Sequence, residues 1–262
     1  MVGRTLIVGH RGASLQAPEN TLASFRLAFE QGADGIEADF RLTRDGEIVC
    51  LHDDSTARTA GVDLTVAEAT LAKLRRLDVG AWRGAAWAGE RIPTLNETLS
   101  ALPSGKLLFI ELKSGPEIVS PLAAILAASG VPAAQVRFLS FNAELIRLLK
   151  ERLPEYRACW LTDYSFRGTW RPSRPELLAT LQASRADGLA SHDRSILDQN
   201  LVQSLREHSL EIHVWTVDAA KAARRLCALG VDSIMTNRPG WLRRALSEPM
   251  QQGGAVQQDR VR

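Results

Sequence analysis

The sequence predicts an α/β fold, a (β/α)8 TIM barrel that carries a short hairpin and a loop insertion after its second strand. Eight short apolar segments typical of buried strands alternate with segments of helical periodicity, and parallel strands need such crossover helices. The chain of 262 residues, 45% of them hydrophobic, is long enough to bury one large core. A doubly wound open sheet is the alternative architecture that the same alternation allows.

The amino-terminal part of the chain predicts a strand, a glycine-containing loop and a helix. Residues 6–10 form a short apolar strand pattern, and apolar residues recur at helical spacing over residues 22–29. In the second strand, side chains two residues apart share a face, so Glu37 and Asp39 project together. An Asp-Gly turn and a returning strand follow, and they bring His52 back towards the two carboxylates.

The segment after the hairpin predicts a helix and then a long loop. Thr65 and Glu68 have the spacing of a capping box, so we expect a helix to begin at about Thr65. Residues 78–93 contain three glycines together with Trp82 and Trp87. So many glycines are unfavourable in a helix, and the stretch is long enough to be a functional loop.

From residue 94 onwards, helices and strands alternate regularly. We expect helices at residues 94–102, 117–129, 143–152, 174–184, 198–208, 219–229 and 239–247. We expect strands at residues 106–113, 135–141, 156–162, 186–191, 210–217 and 232–236. Residues 1–248 should therefore form one barrel domain, and residues 249–262, rich in Gln and Gly without an apolar period, a disordered tail.

The composition limits the possible partners and locations. The 32 Lys and Arg and 30 Asp and Glu leave a net charge of +2, so neither nucleic acid nor an anionic membrane is expected as the main partner. Cys50, Cys159 and Cys227 are widely spaced and odd in number, which favours a reducing compartment. The first apolar stretch is too short for a signal peptide, and no apolar run is long enough to span a membrane. We therefore expect a cytoplasmic protein.

Ionisable side chains cluster where the predicted strands end. In a barrel, the carboxyl ends of the strands surround one shared mouth. The polar residues at or near these ends are His10, Arg11, Glu37, Asp39, Glu111, Lys113, His213 and Asp218, with Trp215 beside them. Taken alone, Glu37 and Asp39 fit a solvated edge strand equally well, with His52 closing a hairpin. The convergence of so many ionisable groups favours an active site, because such groups are costly to bury without partners.

The residue types at the mouth indicate phosphate ester hydrolysis. Three carboxylates, from Glu37, Asp39 and Glu111, suit a hard divalent cation such as Mg²⁺ or Ca²⁺. Arg11 and Lys113 offer positive charge to phosphate oxygens, and histidines can transfer protons near neutral pH. A zinc site for carbonyl chemistry is disfavoured, because zinc prefers imidazole and thiolate ligands.

Other residues near the mouth give weaker signals. His192 fits either the lining of the mouth or the closure of a loop, and His213 is better interpreted as a hydrogen-bonded core histidine. Trp215 is placed to form a wall for the carbon skeleton of a ligand. Trp82 and Trp87 fit either a lid over the mouth or an anchor for their own loop.

A series of motifs in chain order resembles the signature of the glycerophosphodiester phosphodiesterase family. The motifs are His10-Arg11-Gly12, Pro18-Glu19-Asn20-Thr21, Glu37-x-Asp39, Thr43-x-Asp45-Gly46, His52-Asp53, Ile92-Pro93-Thr94-Leu95, Glu111-Leu112-Lys113, Val214-Trp215-Thr216-Val217 and Thr236-Asn237-Arg238-Pro239. They cover nearly the whole chain. The joint pattern is specific, whereas any one of these short motifs would be weak.

The resemblance implies a metal-dependent TIM barrel that hydrolyses glycerophosphodiesters to an alcohol and sn-glycerol 3-phosphate. It implies a metal site at Glu37, Asp39 and Glu111, a catalytic pair of His10 and His52, and phosphate contacts at Arg11 and Lys113. Asp218 departs from the family pattern, which often has Asn at this position, so substrate contacts there are in doubt.

Two other functions are compatible with the same motifs. A lysophospholipase D-like or lyase activity on lysolipids would share the site. A non-catalytic barrel that binds glycerophosphoryl groups would need cations and donors but no acid and base, so the presence of both His10 and His52 favours an enzyme. We expect small water-soluble diesters to be preferred, because the insertion is short and no apolar membrane-binding segment is apparent.

Overall fold

A computed structural model describes residues 4–248 and confirms the predicted barrel. The strands are β1 (Leu6–His10), β2 (Gly35–Leu42), β3 (Ile48–Cys50), β4 (Leu107–Leu112), β5 (Val136–Ser140), β6 (Arg157–Thr162), β7 (Ser165–Phe166), β8 (Trp170–Arg171), β9 (Gly188–His192), β10 (Glu211–Trp215) and β11 (Ser233–Thr236). Eight of them are parallel, and the barrel closes because β1 pairs with both β2 and β11. Strand β3 forms the predicted antiparallel hairpin with β2, while β7 and β8 form a separate small ribbon.

Helices connect the parallel strands and cover the outside of the barrel. They are α1 (Leu22–Glu30), α2 (Ala57–Ala60), α3 (Leu71–Leu74), α4 (Leu95–Ser100), α5 (Val119–Ser129), α6 (Ala143–Arg152), α7 (Arg174–Ser184), α8 (Gln199–Glu207), α9 (Ala220–Leu229) and α10 (Pro239–Ser247). From residue 94 onwards, each predicted boundary lies within two residues of the observed one. Capping hydrogen bonds explain where some of the helices begin: Thr94 before α4 accepts a hydrogen bond from a backbone N–H of the first turn, as does Thr21 before α1.

The predicted helix from Thr65 is wrong. Residues Val66–Glu68 form only one 3-10 turn, and the Thr65 side chain makes no capping hydrogen bond. Val66 and Ala69 instead pack into a small separate core under the insertion. Thr70 then caps a new short helix, α3, by accepting from the Lys73 N–H. Packing against this small core therefore overrides the local capping pattern.

Two apolar layers hold the barrel. One lies between the strands and the helices and contains most of the buried side chains. The other fills the barrel interior and consists of Val8, Phe109, Leu139, Cys159, Leu161, Ala190 and Met235. Because the interior is packed, a ligand can enter only at the ends of the barrel.

The amino-terminal end of the barrel contains a partly buried ionic network. His213 is buried, lies within hydrogen-bond distance of Ser233 Oγ (2.8 Å) and Glu211 Oε2 (3.2 Å), and packs edge-on against Phe109. Arg137 Nε donates to Glu211 Oε2 at 2.9 Å. Burial disfavours the Glu211 carboxylate, but the His213 hydrogen bond and nearby positive charge outweigh it and lower the pKa of Glu211 to about 2. His213 is thus a hydrogen-bonded core residue, as its position predicted.

Several expectations concern the chain as a whole. Within residues 4–248, no helix is both long enough and apolar enough to cross a membrane. All three cysteines are free thiols, and Cys50 and Cys159 are buried. The predicted disordered tail, residues 249–262, lies outside the described residues.

Candidate active site

Parallel strand pairing brings the predicted site residues to one mouth of the barrel. His10 at the end of β1 pairs with Glu37 on β2, and Asp39 pairs with Glu111 on β4. A cavity of about 130 Å³ opens there and is lined by the predicted residues His10, Arg11, Glu37, His52, Glu111, Lys113 and Trp215. Asp39 lies buried beneath it and contacts Arg11 and Lys113.

Three carboxylates form a buried cluster at the base of the mouth. One oxygen from each of Glu37, Asp39 and Glu111 lies within 4.8 Å of one oxygen of the other two. Within the described residues, the buried Glu37 Oε1 has no hydrogen-bond donor, while Asp39 Oδ1 and Glu111 Oε1 both contact the single ammonium group of Lys113. Buried carboxylate oxygens without donors are unfavourable unless a cation compensates them. The donor set, which is oxygen only, fits a hard divalent cation.

Two basic side chains offset part of this negative charge. Lys113 Nζ lies 3.1 Å from Asp39 Oδ1 and contacts Glu111, while Arg11 Nε lies 3.2 Å from Asp39 Oδ2. Burial disfavours the Asp39 carboxylate, but Lys113 and Arg11 outweigh it and hold the pKa of Asp39 well below its usual range. Burial and the neighbouring carboxylates raise the pKa of Glu37, and burial and Asp39 raise the pKa of Glu111 to about 7. The charges of Arg11 and Lys113 therefore do not fully compensate the three carboxylates.

The loop between β1 and α1 wraps around the carboxylates in an unusual backbone conformation. Arg11 and Asn20 adopt left-handed φ angles of 55° and 57°. The Arg11 N–H donates to Glu37 Oε2 at 3.0 Å, and Asn20 Nδ2 donates to Asp39 Oδ2 at 2.8 Å. Gly12 is also left-handed, and a Cβ there would lie 2.4 Å from Ser24 Oγ. The loop thus supplies two donors to the carboxylates at the cost of local backbone strain.

His10 is held by an amide from the last strand. Its Nδ1 lies 2.8 Å from Asn237 Oδ1, and its Nε2 lies 3.9 Å from Glu37 Oε2. Asn237 Nδ2 in turn donates to Asp218 Oδ2 at 2.6 Å. Burial, together with the positive charge of Arg11, lowers the pKa of His10 to about 4. The imidazole is therefore neutral at neutral pH.

His52 is held by a carboxylate instead. Its Nδ1 lies 2.7 Å from Asp53 Oδ1, and Arg58 Nε donates to Asp53 Oδ2 at 2.6 Å. The hydrogen bond from Arg58 is the main reason why the pKa of Asp53 falls to about 2. Glu19 accepts from both Arg58 and Arg11, so a chain of ion pairs links His52 to the carboxylate cluster.

Two aromatic side chains, Phe141 and Trp215, form an aromatic wall at the mouth. Phe141 lies edge-on against Trp215, with ring centroids 5.7 Å apart, and both line the cavity. His192 stacks on Trp215 at 4.8 Å, and its Nδ1 lies 2.7 Å from Asp163 Oδ1. His192 therefore supports Trp215 and does not itself line the cavity. The wall offers an apolar surface for the carbon atoms of a ligand.

Some predicted candidates lie away from the mouth cavity. Neither Trp82 nor Trp87 lines it, and the Trp82 indole donates to Val79 O within its own loop. The Asp218 carboxylate is directed towards Thr236 and Asn237, and Asp218 does not line the cavity.

Sequence reasoning missed the side chains that orient the two histidines and the carboxylates. They are Asn20, Asp53, Arg58 and Asn237. Asn20, Asp53 and Asn237 belong to the motifs that resemble the family signature. The motifs therefore indicated these positions but not the role of each side chain.

A larger cavity of about 560 Å³ lies at the opposite, amino-terminal end of the barrel. Each arginine that lines it forms an ion pair with a carboxylate; the pairs are Arg4–Asp34, Arg137–Glu211 and Arg206–Asp232. Their charges are already compensated by these carboxylates. We therefore place the candidate site at the smaller mouth cavity, where three buried carboxylates share only two contacting cations among the described residues.

Comparison with known proteins agrees with this geometry. A family model, the glycerophosphoryl diester phosphodiesterase family, matches residues 10–241. The chain is 35% identical over 238 residues to YhdW of Bacillus subtilis, covering 90% of this chain and 96% of that protein. It is 33% identical over 242 residues to a glycerophosphodiester phosphodiesterase of Caldanaerobacter subterraneus subsp. tengcongensis, covering 90% and 95%. It resembles the structure of an Oleispira antarctica phosphodiesterase in complex with the product sn-glycerol-3-phosphate, with a TM-score of 0.83, 28% identity and coverage of 94% and 98%.

Proposed function

The chain belongs to the glycerophosphoryl diester phosphodiesterase family and is a glycerophosphodiester phosphodiesterase, and we propose that it uses a divalent cation to release sn-glycerol 3-phosphate and an alcohol. The observation that carries the proposal is the cluster of three buried carboxylates, two of which, Glu37 and Glu111, line the same cavity as the imidazoles of His10 and His52. The product bound to the Oleispira antarctica relative supports the choice of sn-glycerol 3-phosphate.

Glu37, Asp39 and Glu111 would hold the cation. Mg²⁺ and Ca²⁺ both fit this set of oxygen ligands. When bound, the ion supplies positive charge that polarises a phosphoryl oxygen and favours attack on phosphorus. Arg11 and Lys113 border the same cavity, where they can bind the remaining phosphoryl oxygens.

The two histidines divide the proton transfers between them. Asn237 Nδ2 donates to Asp218, so its Oδ1 faces His10 Nδ1 at 2.8 Å, and because an amide oxygen only accepts, we assign the proton of the neutral His10 to Nδ1. Nε2 then has a free lone pair and can accept a proton from the attacking hydroxyl. His52 is bonded through Nδ1 to Asp53, whose carboxylate offsets positive charge on the imidazole, so His52 can protonate the leaving alcohol. A new P–O bond forms as the P–O bond to the alcohol breaks. The same pair serves whether the attacker is water or the glycerol 2-hydroxyl.

The aromatic wall is suited to the carbon skeleton of the substrate. Trp215 and Phe141 line the same cavity as two of the carboxylates, so they can pack against the glycerol or the alcohol group. A cavity of about 130 Å³ has room for a small polar head group but not for an enclosed acyl chain. We therefore propose small water-soluble diesters as the preferred substrates.

A release assay tests the proposed function. Purified protein with Mg²⁺ or Ca²⁺ is given glycerophosphocholine or lysophosphatidylcholine in separate and competing reactions, and released glycerol 3-phosphate is measured. We expect release from glycerophosphocholine that stops on chelation and is lost in Glu37→Gln. Glu176→Gln, a surface change on α7, is the matched control and should keep full activity. No release from glycerophosphocholine with either ion, or a clear preference for the lysolipid, would contradict the proposal.

Two further expectations remain proposals. We propose that residues 1–248 form a single catalytic domain. We also propose a cytoplasmic location, which is supported by the three free cysteines.

A further inference from the structure

We propose that Arg58 is a positioning residue, which fixes the orientation of the His52 imidazole by joining Asp53 to Glu19 of the barrel. The inference rests on the proposed function, in which His52 protonates the leaving alcohol. Arg58 lies on α2, in the insertion, and does not line the mouth cavity. It therefore acts through Asp53, and its loss should affect the departure of the alcohol more than the binding of the substrate.

The guanidinium group of Arg58 uses all three of its nitrogen atoms to bind two carboxylates. Nη1 donates to Glu19 Oε2 at 2.9 Å and Nη2 donates to Glu19 Oε1 at 2.8 Å, so this carboxylate is held at both oxygens. Nε donates to Asp53 Oδ2 at 2.6 Å, and Nη2 also donates to Asp53 Oδ1 at 3.2 Å. Because a guanidinium group is planar and rigid, it fixes the position of one carboxylate relative to the other.

The two carboxylates belong to different parts of the mouth. Glu19 lies in the loop between β1 and α1, where it also accepts from Arg11 Nη1 at 3.0 Å. Asp53 lies in the insertion, and its Oδ1 is 2.7 Å from Nδ1 of His52. Arg58 therefore connects the loop that carries Arg11 to the carboxylate that holds His52.

The ring of His52 depends on Asp53, whereas its backbone is held separately. The hydrogen bond from Arg58 is the main reason why the pKa of Asp53 falls to about 2, so Asp53 is ionised at neutral pH and accepts the Nδ1–H of His52. The carbonyl oxygen of His52 accepts from Arg41 Nε and Nη2 at 3.1 and 2.7 Å. Loss of Arg58 should therefore free the Asp53 carboxylate and the imidazole without moving the backbone of His52.

The exposure of Arg58 favours a role in catalysis over a role in stability. Its side chain is 43% exposed, and ion pairs in contact with solvent contribute little to the free energy of unfolding. Glu19 keeps Arg11 as a partner when Arg58 is removed, so this carboxylate is not left without a cation. We therefore expect Arg58 variants to melt close to the wild type.

Two substitutions separate the geometry of Arg58 from its charge. Arg58→Met keeps most of the length of the side chain but removes the charge and every donor. Arg58→Lys keeps the charge, but an ammonium group is a compact charge that cannot hold both carboxylates in one plane as the guanidinium fork does. Both variants should be defective if orientation matters, whereas lysine should suffice if charge alone matters.

The kinetic experiment compares two glycerophosphodiesters that differ only in the alcohol. Glycerophosphocholine needs an acid for its leaving group, whereas the corresponding diester of nitrophenol needs none. We expect both Arg58 variants to lower kcat for glycerophosphocholine by about tenfold or more, with little change in KM and little loss on the nitrophenol diester. In a His52→Ala background, Arg58→Met should cause no further loss, because both changes remove the same proton transfer.

The orientation of the ring is tested without any substrate by ¹⁵N NMR of the histidine side chains in the full chain. The Nδ1–H of His52 should be observed in the wild type and lost through fast exchange with water in both Arg58 variants. Arg75→Met is the matched control, because Arg75 also binds a carboxylate at both oxygens, that of Glu97, at 2.8 and 2.7 Å. That pair joins the end of α3 to α4, so the control should leave the His52 signal and the ratio of the two kcat values unchanged.

The possible failures can be told apart. If the wild-type protein releases glycerol 3-phosphate from neither diester, the proposed function fails, while the NMR signal still shows whether Arg58 holds the ring of His52. If both Arg58 variants keep the wild-type signal and kcat, or lose equal activity on the two diesters, the positioning role is refuted. Wild-type kcat in Arg58→Lys would refute it as well, because charge alone would then be enough.

Discussion

Metal binding should stabilise the fold in a way that depends on Glu37. The carboxylate oxygens of Glu37, Asp39 and Glu111 lie within 4.8 Å of one another, and within residues 4–248 the cations that contact them are Arg11 and Lys113. At that separation, two unit charges repel by about 3 kcal/mol at an effective dielectric constant of about 20. A divalent cation replaces this repulsion with attraction. It binds the folded state alone, because the unfolded chain does not bring the three carboxylates together.

The size of the effect follows from mass action. A cation at about 100 times its dissociation constant adds about 2.7 kcal/mol to the free energy of unfolding. For a domain of this size that corresponds to a rise in Tm of about 5 to 10 °C. The assay is thermal unfolding of chelator-treated protein with increasing Mg²⁺ or Ca²⁺. It reports on the site without any substrate.

Glu37→Gln should lose most of the metal-dependent rise while its metal-free Tm equals or exceeds that of the wild type. The substitution removes one ligand and two repulsive pairs but keeps the size of the side chain. Glu176→Gln, on the outer surface of the barrel, should keep the full rise. The reasoning is refuted if Glu37→Gln retains the wild-type response to the cation, or if millimolar Mg²⁺ and Ca²⁺ both leave the wild-type Tm unchanged.

Two further predictions follow from the other ionisable groups. His10→Ala and His52→Ala should each keep the metal-dependent rise in Tm but lower kcat by about 10²-fold or more. A nitrophenyl phosphodiester, whose leaving group needs no acid, should restore activity only to His52→Ala. If kcat falls by less than about tenfold in both variants, the assignment of the two histidines is wrong. At the other end of the barrel, the pKa of Glu211 is lowered from 4.5 to about 2, so its stabilising effect is present above about pH 4.5 and is lost as the pH falls towards 2. In denaturant unfolding, Glu211→Gln should therefore be less stable than wild type by about 3 kcal/mol at pH 7. This difference in the free energy of unfolding should shrink below about pH 4.5, and a difference that does not depend on pH would contradict the explanation.

The barrel and the carboxylate cluster were predictable because they depend on short-range periodicity. Alternation along β2 places Glu37 and Asp39 on one face, and parallel pairing with β4 brings Glu111 beside them. The Asp-Gly turn explains why His52 returns to the same mouth. The failed helix at Thr65 shows the limit of local patterns, since packing into a small separate core decided that segment.

The residues that orient the site could not be predicted in the same way. Asp218 and Asn237 are separated by 19 residues, and nothing in strand periodicity indicates that their side chains pair. Nor does the identity of Arg11 or Asn20 indicate a left-handed backbone, which the bonds to Glu37 and Asp39 hold in place. Such contacts depend on the ends of several strands arriving together, so they become visible only in the folded structure.

The different partners of the two histidines explain how a symmetric-looking pair can take opposite roles. His10 is bonded to the neutral amide of Asn237, and burial together with Arg11 disfavours its charged form, so the pKa of His10 falls to about 4. His52 is bonded to Asp53, which Arg58 keeps ionised, and a carboxylate stabilises positive charge on the ring. An imidazole that stays neutral is ready to accept a proton, whereas one beside a carboxylate can carry a proton to the leaving group. In the mechanism that we propose, the direction of proton transfer across the phosphate is therefore set by the residues that hydrogen-bond to the two histidines, since the two rings are chemically identical.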